Sequence, residues 1–582
     1  MKQMKTGMTA LIGTALTALA FVSCFFPMIG KDIAPPAVDK GGSASSVITV
    51  TIGQGEELYL VKFNPSGNAV EASKTGEIRV ASAAYMPMQS ESRHQGAADG
   101  FSRVLSVTEG AGEQGNPAYH KAAMEFNAKA PPVSRSSGGS SGMSRNVAFT
   151  PPPDGSTRQF WVQDSEGGDF VQITAKYVKN SDTDRCRVWV STGSAIGYPV
   201  ISYFENLDDA SVLTFDNKIT TTQAKALAQK FNQIYDKETA LFGYEKGGGP
   251  GGDGGIDGDP LVNILIYDID ADHNILGPKV IGYFWGKDEY SQADLVEPLR
   301  SNMAEIFYID SSCLDSNPAG AYSTLIHEFQ HMIQYNTKTL RLNASVETWY
   351  NEMLSMLAED MLAPSELSIN TDAAGHPAHD RIPYFNSYYW KRGVTDWFGD
   401  LYSYANVYAF GAYLARNYGG AKLIELIATN NAVNIASIND ALKAVTSNRF
   451  DFYKALEKFP ETLLYYQPSA HTTGILNDNT TATYLNTVSG STVSFPGYDF
   501  DSFEIDTIRN LSRPAGAPNF GPAIWPMTQA EMRPYGIDVQ KVGMRNLTAD
   551  FTFVYYPGSP VKMYLVRKTN GSAVERMSGV YP

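Results

Sequence analysis

The pentapeptide His-Glu-Phe-Gln-His at residues 327–331 constrains this chain more than any other feature of its sequence. Apolar residues recur around it at helical spacing, and neither glycine nor proline interrupts residues 321–336, which predicts an amphipathic helix. Two histidines four residues apart lie on one face of a helix. His327 and His331 can therefore bind one zinc ion through nitrogen, and Glu328 beside them can act as a general base on water.

A catalytic zinc site needs a third protein ligand, and the helical pattern over residues 346–361 offers carboxylates for it. Glu352 and Glu359 are seven residues apart and share a face of that helix, whereas Glu347 lies on another face. Residues 332–344 contain no histidine, which argues against an arrangement in which a third histidine follows the motif. The sequence therefore favours a glutamate as the third ligand.

The two helices together resemble a known family pattern. The HExxH motif followed by Asn351-Glu352-x-x-Ser355 is similar to the gluzincin pattern of thermolysin-like enzymes, in which the second helix supplies a glutamate ligand. Further segments between residues 185 and 465 resemble the hyicolysin-type neutral metallopeptidases. These segments are residues 259–268, 281–286, 305–310, 327–333 and 349–352.

The resemblance implies a zinc-dependent endopeptidase that hydrolyses peptide bonds in protein or peptide substrates. The residues it implies are His327, His331 and Glu352 as zinc ligands and Glu328 as the general base. This chain departs from the thermolysin-like pattern at Met356, where the related motif carries an aspartate that orients the first histidine. A metal-bound histidine needs such an acceptor for its other N–H group. Glu359 is the candidate to replace it, and a solvated surface carboxylate is the alternative.

Peptide hydrolysis also needs a donor for the oxyanion that develops at the scissile carbonyl. In thermolysin-like enzymes a tyrosine or a histidine supplies it. Tyr404 and Tyr408, at the start of a predicted helix that follows the zinc region, are the candidates for this catalytic role, and His376, His379 and Tyr402 are further ones. Since the chain has 33 tyrosines, packing in the core is the alternative role for each tyrosine.

Two other functions stay open at this stage. One is a non-enzymatic surface lipoprotein that binds host or matrix proteins on a degenerate protease scaffold, and the intact HExxH motif argues against it. The other is an aminopeptidase, which needs a carboxylate for the amino group of its substrate, and no GxMEN-like motif precedes His327. A peptide with a blocked N-terminus separates the two enzymes, because only an endopeptidase cleaves it.

Charge and composition limit the partners of the chain. The net charge is −15 and no basic run stands out, which excludes nucleic acid as an expected partner. Charged residues are 18% of the chain, and tyrosine, serine and glycine are abundant, as in β-rich proteins outside the cytoplasm. A chain of 582 residues is expected to form roughly two to four domains. Nothing in the sequence predicts the oligomeric state.

The N-terminus has the pattern of an export signal. Lys2 and Lys5 precede an uncharged apolar stretch over residues 8–22, which is shorter than the ~20 residues that a membrane span needs. Cys24 follows directly and resembles the cysteine of a bacterial lipobox, although Phe21 stands where that pattern prefers leucine. The expectation is an exported protein, either secreted or held at the cell envelope by a lipid on Cys24. Ordinary signal cleavage and an uncleaved anchor are the alternatives.

The distribution of strand and helix patterns predicts an α+β fold. A zincin-like catalytic domain, with a mixed sheet and a helical lobe, is expected between small all-β domains. The expected segments are a signal peptide with lipobox at 1–24, a tether at 25–46, an N-terminal β region at 47–107, a Gly-, Ser- and Pro-rich linker at 108–157, a β region leading into the catalytic domain at 158–195, a zinc metallopeptidase domain at 196–475 and a β-sandwich-like domain at 476–582. Cleavage within the linker to remove an inhibitory pro-region is a hypothesis.

Two further sets of residues are left open by the sequence. Cys186 and Cys313 can form a disulfide in an oxidising compartment or remain as separate buried thiols. Asp253, Asp257 and Asp259, in a Gly- and Asp-rich loop, are candidates for a calcium site. A plain turn is the alternative for that loop.

Overall fold

The computed structural model describes most of the predicted catalytic domain and parts of the predicted β regions. The described residues are 37–38, 44–53, 56–80, 118–130, 149–163, 169–192, 219–269, 280–370, 375–464, 482–485, 492–495, 530–543, 547–569 and 574–577. The predicted signal peptide, including Cys24, lies outside the described residues, as does most of the predicted tether and linker.

The described residues form helices and strands that are numbered here in chain order. The strands are β1 Ala37–Val38, β2 Ala44–Ile52, β3 Glu56–Phe63, β4 Val70–Glu71, β5 Glu77–Val80, β6 Thr157–Gln163, β7 Phe170–Val178, β8 Cys186–Ser191, β9 Val262–Tyr267, β10 Gly282–Phe284, β11 Ile306–Asp310, β12 Ala482–Leu485, β13 Thr492–Phe495, β14 Glu531–Met532, β15 Ile537–Gly543, β16 Leu547–Tyr555, β17 Lys562–Thr569 and β18 Val574–Arg576. The α-helices are α1 Ala118–Asn127, α2 Thr221–Phe242, α3 Ser311–Ser316, α4 Pro318–Gln334, α5 Thr348–Leu367, α6 Pro377–Tyr388, α7 Leu401–Asn417, α8 Gly420–Thr429, α9 Asn434–Val445 and α10 Phe452–Lys458.

A six-stranded mixed sheet organises the catalytic region, with the strand order β10-β11-β9-β8-β7-β6. Strands β8, β9 and β11 run parallel, and the short strand β10 pairs antiparallel with β11 at one edge. The central strand β9 reads Val-Asn-Ile-Leu-Ile-Tyr and is buried along its whole length, as expected for a strand covered on both faces. This sheet with its surrounding helices agrees with the predicted α+β class.

Alternate residues of the central strands pack into two different cores. Ile264 and Ile266 of β9 face one core, which they share with α2, α4 and α5. Leu265 and Tyr267 of the same strand face a second core, to which helix α1 contributes Tyr119 and other side chains. The sheet therefore separates the helical lobe on one face from α1 on the other.

Strands from the two ends of the chain share two further sheets. In one sheet β2 and β5 pair with β16, and in the other β3 lies between β15 and β17. Apolar residues from both ends fill the space between these sheets, among them Leu58, Leu60, Phe551 and Phe553. The β regions predicted near the N-terminus and near the C-terminus thus form one layered unit. Tyr564 on its other face packs against the helical lobe.

Cys186 and Cys313 are both buried, and no disulfide joins them. They belong to the same apolar core, where each behaves as a small hydrophobic side chain. The structure thus favours separate thiols over the alternative of a disulfide. None of the helices in the described part of the chain is long and apolar enough to span a bilayer.

Candidate metal centre

Helix α4 carries the two histidines of the motif. Asn317 caps its N-terminus by accepting a hydrogen bond from the backbone N–H of Gly320, and Pro318 occupies the first helical position, where its fixed φ favours helix formation. The face of α4 toward the core is fully buried, so the opposite face is left for the imidazoles. His327 and His331 stand side by side there, with ring centroids 4.6 Å apart and ring planes at 84°.

Helix α5 brings Glu352 to the same point. Its carboxylate oxygens lie 3.1 Å from Nε2 of His327 and 3.6 Å from Nε2 of His331. Ligand atoms about 2.1 Å from a tetrahedral zinc ion are separated by roughly 3.4 Å, so this donor set fits zinc. A search of the described residues for three or more His, Cys, Asp or Glu side chains that could hold one metal ion finds His327, His331 and Glu352. Their donor atoms all lie within 4.8 Å of one another. A calcium site in the loop with Asp253 and Asp257 stays a prediction.

Both histidines are held by their other ring nitrogen. Nδ1 of His327 lies 2.7 Å from a carboxylate oxygen of Glu359, and the hydroxyl of Ser323 donates to the second oxygen of that carboxylate. Nδ1 of His331 lies 2.9 Å from Oγ of Ser355. These contacts leave Nε2 of each ring free for a metal, which is the arrangement that metal-binding histidines adopt. The structure places Glu359 at the position suggested for it from its spacing to Glu352.

Glu328 lies beside the donor set and is only 5% exposed. The pKa of its carboxyl is raised to about 8, mainly because the group is buried; the charge of His327 and the backbone N–H of Phe284 lower the pKa, whereas the nearby carboxylates of Glu352 and Glu359 raise it. A metal cation between the ligands would lower this pKa, because a nearby positive charge favours the ionised carboxylate. The environment of Glu328 is thus suited to taking up and releasing a proton.

The other catalytic candidates do not line the cavity at this centre. Tyr408 is fully buried beside Asp360, and Tyr404 packs against Trp397 with ring centroids 4.8 Å apart. His376 is also fully buried, with Nε2 3.5 Å from Asp360. The residues that do line the cavity are His120, Ala123, Met124, Asn127, Ala128, Phe284, Glu328, His331, Val346, Thr348, Asn351 and Glu352.

His120 also lines this cavity, and no sequence pattern pointed to it. It lies about two hundred residues before the motif, on α1, and has no motif of its own. Its Nδ1 is buried without a hydrogen-bond partner. Only the packing of α1 against the mixed sheet brings this imidazole to the metal centre.

Helix α4 carries the HExxH motif, helix α5 presents Glu352 to its histidines, and Glu328 is buried beside them. This arrangement is typical of metallopeptidases. Comparison with known proteins identifies the family within that class. The family model described as Peptidase M30 matches residues 178–518, which is more than half of the chain. The chain belongs to the Peptidase M30 family, and the resemblance to hyicolysin-type neutral metallopeptidases is confirmed.

The chain is also similar to the neutral metalloprotease ShpI of Staphylococcus hyicus. The two sequences are 32% identical over 252 residues, which cover 41% of this chain and 52% of that protein. The chain therefore spans about half the length of the curated relative that it matches. Both comparisons support the expected enzyme class at the level of the family.

Proposed function

We propose that the chain is a zinc-dependent endopeptidase, with His327, His331 and Glu352 as its zinc ligands. The convergence of these three donor atoms, all within 4.8 Å, is the observation that carries this proposal. Membership in a metallopeptidase family supports it. The fold that we infer for the catalytic region is zincin-like, since a mixed sheet packs directly against the helix that bears both histidines.

Glu328 is the residue that we assign to proton transfer. When bound at this centre, zinc lowers the pKa of a water ligand to about 7 and polarises the scissile carbonyl. The Glu328 carboxylate accepts a proton from the attacking water and later delivers it to the leaving nitrogen. His327 and His331 stay in one orientation throughout, because Glu359 and Ser355 hold their Nδ1 atoms.

Strand β10 offers a place for the substrate. Among the described residues it pairs with a strand, β11, on one side only, and an extended peptide could add a strand at its other edge. Phe284 at the end of β10 donates its backbone N–H to Glu328, which places this edge next to the proposed base. A strand bound there places internal peptide bonds at the centre, which supports an endopeptidase over an aminopeptidase.

Zinc content and metal-dependent hydrolysis test this function. The purified chain is expected to contain about one zinc ion, as a three-ligand catalytic site requires. It should cleave a peptide that is blocked at both ends, lose that activity with 1,10-phenanthroline, and regain it when zinc is added. A metal-free chain, or cleavage that is indifferent to the chelator, would contradict the proposal.

We further propose export with a lipid on Cys24, on the strength of the N-terminal sequence pattern described above. Radiolabelled palmitate fed to expressing bacteria should label the wild-type chain and not the Cys24→Ser variant. Equal labelling of both chains would contradict the lipid anchor at Cys24. It would not bear on the proposal for the metal centre.

A further inference from the structure

Helix α1 closes the cavity at the metal centre. Glu328, His331 and Glu352 form one wall of this cavity, and residues 120–128 form the facing wall. The space left between the walls has a volume of about 20 Å³, which is room for about one water molecule. A polypeptide cannot occupy this cavity while α1 holds this position.

The C-terminal end of α1 and the residue after it form hydrogen bonds on both sides of the cavity. On the side of strand β10, the Asn127 side chain donates to the carbonyl of Phe284 at 2.9 Å and accepts from the backbone N–H of Gly286 at 2.8 Å. On the side of helix α5, the backbone N–H of Val346 donates to the carbonyl of Ala128 at 3.0 Å. The segment 118–130 therefore crosses from the edge strand β10 to the start of helix α5.

These contacts use the groups that a substrate would need. A peptide added to the sheet must pair with the free edge of β10, where Asn127 already engages the carbonyl of Phe284. Each substrate residue in an extended strand takes up about 3.3 Å along that edge, so even a short peptide collides with the segment. The amide of Asn127 makes one accepting and one donating contact with backbone groups, as a paired strand does.

His120 adds a second occluding contact. Its imidazole lines the same cavity as His331 and Glu352, and its buried Nδ1 has no hydrogen-bond partner. A zinc site with three protein ligands keeps one position open, and imidazole nitrogen is a preferred zinc ligand. His120 thus occupies space in the cavity directly beside two of the candidate zinc ligands, His331 and Glu352.

We propose that residues 118–130 are an internal inhibitor of this chain. The segment holds the enzyme in a latent form by filling the substrate cleft, with Asn127 on the substrate-pairing edge and His120 over the metal centre. Burial of Tyr119 in the second core, edge-on to Tyr283 at 5.9 Å, keeps the segment in place. Activation requires the segment to leave the cleft. This inference rests on the proposed function only in naming the blocked ligand as a peptide.

The double variant His120→Ala/Asn127→Ala tests the inhibitor in the full chain. Hydrolysis of a doubly blocked peptide should rise by about tenfold or more in kcat/KM, because apparent affinity scales with the open fraction of the enzyme. Lys121→Ala is the matched control, since Lys121 lies on the exposed face of the same helix. A fall in activity would instead assign His120 to catalysis and overturn the inhibitor.

A binding measurement separates this inference from the proposed function. A peptide hydroxamate should bind the zinc-loaded double variant about tenfold or more tightly than it binds the wild-type chain, whether or not either form cleaves peptides. Tighter binding without cleavage by any form would reject the peptidase and retain the inhibitor. Equal hydroxamate affinity in the two forms would reject the inhibitor.

If the double variant does not fold, a full-length chain with engineered cleavage sites on both sides of the segment provides a second test. Engineered protease sites within residues 108–117 and within residues 131–148 allow the segment to be released from the folded wild-type sequence. Release should raise hydroxamate affinity, and a synthetic peptide of residues 118–130 should reverse the gain. The same peptide with His120 and Asn127 replaced by alanine should not. Reversal by both peptides, or by neither, would overturn the proposal.

Discussion

Replacing Glu328 by glutamine is expected to lower kcat by about 10²–10⁴-fold, the range that general acid–base catalysis contributes. The glutamine side chain has nearly the same size, so it fits the buried site without creating a cavity. It cannot accept the proton of the attacking water or pass one to the leaving nitrogen. Zinc content should stay at the wild-type level, because Glu328 is not one of the three converging donors. Steady-state kinetics and metal analysis on the same preparations measure both quantities.

Glu425→Gln supplies the control for this variant. Glu425 forms an ion pair with Lys422 on helix α8, away from the residues that line the cavity, and its replacement should leave kcat unchanged. Wild-type and variant must be compared in the same state of residues 118–130, so that any inhibition by this segment affects both alike. Hydrolysis by Glu328→Gln at the wild-type rate would remove Glu328 from the reaction.

The helix pair of the metal centre could be predicted because helical geometry links spacing in sequence to position in space. Residues four apart on α4 and seven apart on α5 fall on single faces, so His327 and His331, and likewise Glu352 and Glu359, had to point together. The apolar stripes around them show which faces are buried. Spacing left open which of three carboxylates lies near Nε2 of both histidines, and the packing of α5 against α4 brings Glu352 there.

Contacts between distant parts of the chain could not be read in the same way. Strand β2 pairs with β16, and β3 pairs with β15 and β17, although about five hundred residues separate them. Alternating apolar patterns identify such strands but carry no information on their partners. For the same reason the role of Asn127 could not be predicted from the sequence. Its hydrogen bonds to Phe284 and Gly286 depend on how α1 packs and not on a local motif.

Tyrosine candidates illustrate the opposite problem, in which a local pattern suggests a role that packing does not support. Tyr404 and Tyr408 follow the zinc region closely in sequence, and helix α7 was correctly expected there. On that helix, Tyr408 points into the core of the helical lobe, and Tyr404 packs beside Trp397 and the guanidinium of Arg381. Neither residue is among those that line the cavity, and their role as oxyanion donors stays a prediction.

Removing the carboxylate of Glu359 is expected to weaken zinc binding by about 10–100-fold, which is the usual effect of losing a partner that orients a ligand. Glu359 fixes His327 with a 2.7 Å contact at Nδ1 and is itself held by Ser323. In Glu359→Ala the imidazole loses its preferred tautomer and is free to rotate, so Nε2 no longer points steadily at the metal. Competition with a chromophoric chelator measures the zinc dissociation constant of each variant.

The conservative variant distinguishes positioning from simple loss of packing. Glu359→Gln keeps a carbonyl oxygen that can accept from Nδ1 of His327, so most of the zinc affinity should return. Glu366→Ala changes a carboxylate on the same helix that pairs with Lys237 instead, and it should leave zinc affinity unchanged. If Glu359→Ala bound zinc as tightly as the wild-type chain, His327 would be oriented by its own packing on α4. The chain would then need no substitute for the aspartate that the thermolysin-like pattern carries where Met356 stands here.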